Sequence, residues 1–152
     1  MYSIRRTKRD MIDSLPETPK SAQMIGHSTL EWFDNDGNRI IRFHLTDVVT
    51  FKIDGSIVLN SGGHQSVTTK RRFNENLNNA SVYQKKHVWY LSTIAGNFPY
   101  FDGISVDQKG LPTPQTLETL INNREINRDQ LMNLPAELQV SFDSYIENKG
   151  KE

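Results

Sequence analysis

Residues 59–74 read LNSGGHQSVTTKRRFN, an arrangement able to hold an anion. Gly62 and Gly63 let a backbone approach a ligand closely. Thr68 or Thr69 is expected to cap a helix, and the first N–H groups of a helix lack intrahelical partners. Lys70, Arg71 and Arg72 add charge, and the arginines add forked donors suited to phosphate. Cations at a helix start oppose the macrodipole by about 0.3–1 kcal/mol each when exposed, and a bound phosphate would reverse that sign. The segment lacks GxxxxGK, so it is not a Walker loop. It is expected to contact a nucleic-acid or nucleotide phosphate through Gly62, Gly63, Thr68, Thr69, Lys70, Arg71 and Arg72. Successive helix residues point in different directions. Lys70 and Arg71 are therefore expected to share the site, with Arg72 in an internal ion pair. The competing explanation is a strand-to-helix connection whose cations pair with acidic C-terminal helices.

The histidines offer a second chemistry. His27, Ser28 and Thr29, and again His44, Leu45 and Thr46, fit His-x-Thr. Two such motifs define the two-histidine phosphoesterases, and a strand-turn-strand path would bring these two together. His44 with Asp47 is a candidate acid–base pair, against the plainer reading of a partly exposed strand histidine. His27, His44, His64 and His87 show no metal-ligand spacing, and the chain has no cysteine. No metal site, thiolate nucleophile or cofactor is expected. No GxSxG elbow marks a catalytic serine. Tyr83, Trp89, Tyr90, Tyr100 and Phe101 surround the basic segment. Aromatics among cations can stack bases, but alternation along the chain assigns about half of them to the core.

These side chains sit in a chain of 152 residues, 36% hydrophobic and 9% aromatic, with 18 basic and 18 acidic residues. That is enough for one domain with an ordinary core. The mean hydropathy of -0.61 indicates a polar surface. Charge is polarised: residues 61–90 hold Lys70, Arg71, Arg72, Lys85 and Lys86 against Glu75 alone, whereas residues 111–152 are net acidic. A nonspecific nucleic-acid binder is usually basic overall; this chain is basic in one stretch. No apolar run approaches the roughly 18 residues that span a membrane. The start MYSIRRTKRD has no apolar stretch behind its charges, so no signal peptide and no membrane partner are expected.

The elements that must position these groups follow from periodicity. Residues 1–22, with Pro16 and Pro19, read as a basic arm or short helix followed by a linker; residues 23–152 read as a single α+β domain. Strand-like runs begin near residue 28. Asp54 and Gly55 mark a hairpin, whose three-residue loop would pair Phe51 with Ile57 and Val49 with Leu59. Ile41, Phe43, Leu45, Asp47, Val49, Phe51 and Ile53 share one parity. Either the chain turns at Leu45, Thr46 and Asp47, or a carboxylate faces the core; the turn is preferred. A short helix is expected over about 69–79, then a hairpin turning near Lys85 to His87. After Gly110 the pattern becomes helical, with Thr113 capping, Pro114 at the first position, and Pro135 starting the last helix. The fold class is α+β, an antiparallel sheet over about 28–107 followed by helices.

The run RFHLTDVVTFKIDGSIVLNSGGHQSVTTKRRFN, followed by VWYL and FPYFDG, resembles a family of tailed-bacteriophage accessory proteins. The resemblance spans residues 42–103, and its most specific part is the Gly-Gly to Thr-Thr-Lys-x-Arg-x-Asn block. It implies a phage context and no particular activity. The family often places an aromatic where this chain has His64, which argues against a base role there. The resulting expectation is a non-enzymatic phage accessory protein in the host cytoplasm that binds nucleic acid or a nucleotide. Two alternatives stand beside it: an inhibitor that binds a host protein, and a small two-histidine phosphoesterase-like enzyme.

Overall fold

Alternating β-branched and aromatic residues from residue 23 onward build short antiparallel strands. The computed structural model describes residues 5–150. The first sheet contains β1 (Gln23–Gly26), β2 (Thr29–Phe33), β3 (Arg39–Phe43), β4 (Thr46–Phe51), β5 (Ile57–Leu59) and β9 (Ser105–Val106), adjacent in that order. The second contains β6 (Ala80–Lys85), β7 (Val88–Thr93) and β8 (Gly96–Pro99). Helices are α1 (Lys8–Ser14), α2 (Val67–Asn76), α3 (Pro114–Asn122), α4 (Arg128–Met132) and α5 (Ala136–Lys149). The class is α+β, with antiparallel sheets first and helices after them, as the pattern indicates.

The pattern suggests one sheet where the chain builds two, and α2 supplies the reason. Its Asn74 side chain donates to the Val82 carbonyl at 3.0 Å and accepts from the Val82 N–H at 2.7 Å. One amide thus satisfies both backbone groups of Val82 at the middle of the β6 edge and interrupts the ladder that edge could offer another strand. β6 turns instead through Lys86 and His87 and pairs with β7.

The hairpin at Gly55 (φ +93) has the anticipated register, Val49 opposite Leu59 and Phe51 opposite Ile57. Between β3 and β4 the chain turns at His44 (φ +54) and carries a bulge: Ile41 faces Val49, but Arg42 faces Asp47. Parity breaks there and Asp47 is no lone core carboxylate, while Leu45 and Ile53 are exposed in the turns before and after β4. Asp47 accepts from Arg42 Nε at 2.6 Å, and the buried guanidinium lies 4.5 Å over the Trp32 ring.

The main core joins the two sheets and α2 through Ile41, Val49, Leu59, Phe73, Leu91 and Ile104. Phe98 of β8 packs with Leu117, Leu120 and Leu138 of the C-terminal helices. Residues 1–4 of the expected arm lie outside the described residues. Residues 8–14 form α1, started by a capping box between Thr7 and Asp10. Its Met11 is fully buried in a third cluster with Ala22, Leu30, Trp32 and Ile40. Among the described residues no helix is long and apolar enough to cross a membrane.

Replacing Asn74 by Ala should lower stability by about 1–3 kcal/mol, because the β6 edge loses both partners at once. Urea unfolding would show this as a lower midpoint with an unchanged slope. Asn74→Asp keeps the acceptor but sets a carboxylate against the Val82 carbonyl, so it should not restore stability.

Candidate functional site

The double-glycine loop follows directly from β5. Gly62 (φ +64) and Gly63 (φ +83) hold left-handed backbone that favours glycine. A Cβ on Gly62 would collide with the Thr46 hydroxyl, so this glycine is needed for close approach to β4. The loop amides are already occupied. Gly62 N–H donates to Asn60 Oδ1 at 2.8 Å, and Gly63 N–H donates to Ser61 Oγ at 3.2 Å. Asp102 Oδ1 accepts from the Ser61 N–H and hydroxyl, each at 2.8 Å, and from the Tyr100 hydroxyl at 2.6 Å. Burial raises the Asp102 pKa, but bonds from Tyr100, Ser61 and the Gly63 backbone outweigh it and hold the carboxyl below its usual 3.8. Burial and the Asp102 carboxylate push the Tyr100 phenol up. The anion nearest this loop is thus the chain's own side chain.

Ser66, and not Thr68 or Thr69, caps α2. Its extended backbone places the hydroxyl to accept from the Thr69 N–H at 3.1 Å, and Thr69 is buried with its own hydroxyl 3.0 Å away. The helix therefore starts at Val67, and Lys70, Arg71 and Arg72 fall in its second turn. The macrodipole fades within the first turn, which removes most of the conflict that three cations would face there. They also diverge. Arg72 is tethered: Nε donates to Thr29 Oγ1 at 3.1 Å, Nη1 reaches Glu75 at 3.2 Å, and the guanidinium lies 5.7 Å from the Phe43 ring centre. Lys70 Nζ lies 5.9 Å from the Trp89 ring centre. Arg71 is exposed and has no ion pair or hydrogen bond among the described residues.

The two His-x-Thr motifs do come together. The His27 and His44 rings meet edge-on with centroids 6.3 Å apart, and His44 N–H donates to the Ser28 carbonyl at 2.8 Å. Thr29 donates to the His27 carbonyl at 2.7 Å and accepts from Arg72. Burial, then Arg6 and His27, lower the His44 pKa from the ordinary 6.5. His44 Nε2 is buried with no hydrogen-bond partner among the described residues. Asp47 spends its carboxylate on Arg42. No hydrogen bond joins His44 to Asp47 among the described residues. His64 is exposed and its N–H closes a turn onto the Ser61 carbonyl.

The aromatic set divides by face. Trp89 and Tyr100 pack around Phe73, with centroids 5.7–6.0 Å from it, on the inner side of the second sheet. Tyr83 and Tyr90 face outward as cross-strand partners, stacked at 5.5 Å and half-buried. Alternation along the chain predicts such a split without assigning these two, and Lys85 and Lys86 fall at the expected hairpin turn. The alternation Val82, Tyr83, Gln84 against Trp89, Tyr90, Leu91 carries the missing signal once the turn register is known.

The second sheet and α2 also bring cations together. Asn74 holds Val82, while Lys70, one helical turn earlier, overlies Trp89, which pairs with Gln84. Helix and strand therefore run alongside each other in opposite senses, and the Lys70 end of α2 lies toward the Lys85–Lys86 turn. Glu75 is the single acid in residues 61–90, and Arg72 holds it. Lys70, Arg71, Lys85 and Lys86 thus lie in two neighbouring elements, with no acid of this stretch left unpaired to neutralise them. Among the described residues no cluster of histidines and carboxylates is arranged to hold a metal.

A family model described as Kyanoviridae Gp96 protein matches residues 4–107. No curated protein and no solved structure matches the chain. The matched segment exceeds half the sequence, and the chain belongs to this family of phage proteins. The segment takes in α1, both sheets and α2, and ends just past β9.

Asp102→Asn should lower stability near neutral pH by about 1–2 kcal/mol, a charged hydrogen-bond value trimmed for the exposure of this residue. Because the folded pKa lies below the unfolded one, this contribution is complete above the unfolded pKa and vanishes as pH falls through the folded one. Thermal unfolding of both proteins across pH 2–7 should give curves that converge at the acid end.

Proposed function

We propose that this member of the Kyanoviridae Gp96 family is a non-enzymatic phage accessory protein that binds nucleic acid or a nucleotide in the host cytoplasm. The contact runs along the cation band of α2 and the second sheet. The supporting observations are that Lys70 lies over Trp89 near the start of α2, that the adjoining β6–β7 hairpin carries Lys85 and Lys86 at its tip, and that the only acid of residues 61–90 is bound to Arg72. Within the set first suggested by the sequence, Lys70 and Arg71 keep this role. Gly62 and Gly63 serve the Thr46 approach and the Asp102 turn, Thr69 completes the cap, and Arg72 joins α2 to β2. Polarised charge on a neutral protein suits a local phosphate contact better than a wrapped duplex.

Labelled oligonucleotide titrated with protein at several salt concentrations tests the proposal. Affinity should fall steeply with salt, and the log–log slope should shrink by about one for each phosphate-contacting cation removed. Lys70→Ala with Arg71→Ala, and separately Lys85→Ala with Lys86→Ala, should each weaken binding roughly tenfold or more at low salt while leaving the melting temperature within a few degrees. Unchanged affinity in both double variants would overturn the assignment.

A further inference from the structure

We propose that the outer face of the second sheet is a base-stacking platform for single-stranded nucleic acid, with Tyr83 and Tyr90 as the stacking rings and the Lys86–His87 turn as an adjoining phosphate contact. This rests on the anion-binding reading above and names the ligand class.

The face is built by strand alternation. Val82, Trp89, Leu91 and Phe98 point inward and are buried. Tyr83, Lys85, Val88, Tyr90 and Asn97 take the opposite parity and line a shallow outer groove with Lys86. Packing elements lie elsewhere: α2 guards the β6 edge through Asn74, and α3 and α5 meet Phe98 from the inside. The two tyrosine rings are nearly parallel, at 24°, and neither hydroxyl has a hydrogen-bond partner among the described residues. Val88 is 48% exposed beside them. Half-buried rings, bordered by two lysines that form no ion pair among the described residues, combine a π surface with cations that complement a phosphate backbone.

The turn supplies an independent observation. Lys86 (φ +51) and His87 (φ +68) both adopt the left-handed conformation that a tight hairpin demands. Asn-Gly or Gly-Gly satisfies that demand cheaply; lysine and histidine do not. The hairpin tip thus holds disfavoured backbone at two exposed residues, one of which, Lys86, lines the groove with the tyrosines, a pattern of strain associated with function. Stacking needs base faces that duplex pairing conceals, so the platform suits an unpaired strand.

Three probes of equal length separate the parts: oligo-dT, an abasic phosphodiester chain and a duplex. Oligo-dT should bind more tightly than either of the others. Tyr83→Leu with Tyr90→Leu keeps apolar, strand-compatible side chains; it should weaken oligo-dT binding about tenfold or more and leave abasic-chain binding unchanged, which also confirms that the variant is folded. Lys86→Asn with His87→Gly should raise the melting temperature and weaken oligo-dT binding. If the tyrosine variant binds oligo-dT like the parent, or if the duplex binds as tightly, the platform is refuted. The anion-binding reading then survives if removing either Lys70 with Arg71 or Lys85 with Lys86 still reduces the salt slope. If oligo-dT and the abasic chain both fail to bind the parent protein, both readings fall together.

Discussion

One carboxylate oxygen governs the middle of this fold. Asp102 Oδ1 receives the Ser61 amide, the Ser61 hydroxyl and the Tyr100 hydroxyl, joining residues 41 positions apart. Around it, Gly103 N–H donates to the Leu59 carbonyl at 2.7 Å and Leu59 N–H donates to the Ile104 carbonyl at 2.9 Å. Between these points the chain leaves the first sheet, forms α2 and the whole second sheet, and returns as β9. The strands at the neck are brief, three residues in β5 and two in β9. Loop closure costs only slowly more as a loop lengthens, so a long excursion is tolerable when its neck is held well. A charge-assisted cluster holds it more firmly than a two-residue ladder would.

Much of the fold was legible because local chemistry and tertiary context agree. The Gly55 hairpin, the Thr113 cap with Pro114 behind it, and the shift to helical spacing after Gly110 each depend on nearby residues. The division into two sheets was not legible, since it turns on Asn74, an exposed amide that reads as a helix-ending residue until its contact with Val82 is seen. The cap of α2 was misplaced by two or three residues because Ser66, Thr68 and Thr69 all qualify chemically. Only the backbone decides among them. That small displacement changes the reading of the site: it moves three cations out of the strongest part of the helix dipole.

The candidate surface was legible as composition and not as geometry. A basic stretch interleaved with aromatics is visible in the sequence, yet stacking and core packing use the same residue types. Register separates them: Trp89 and Tyr100 enclose Phe73, while Tyr83 and Tyr90 pair across the outer face. The Asp102 tie could not be foreseen either, because its partner lies on a distant turn. It shows how a glycine-rich loop can satisfy its own amides, so that glycines and cations adjacent in sequence serve different ends.

The placement of the two tryptophans gives each sheet its own optical reporter. Trp32 sits in the cluster beneath α1, against the Arg42 guanidinium. Trp89 sits in the central cluster, 5.5 Å from Tyr100 and under Lys70. Undocking of α1 would alter the emission of the first, and loosening of the Asp102 neck would reach the second through Tyr100. Single-tryptophan versions of the chain, with the other replaced by phenylalanine, would therefore resolve whether the six-stranded and three-stranded sheets melt as one cooperative body or in sequence, using light absorbed by the protein alone.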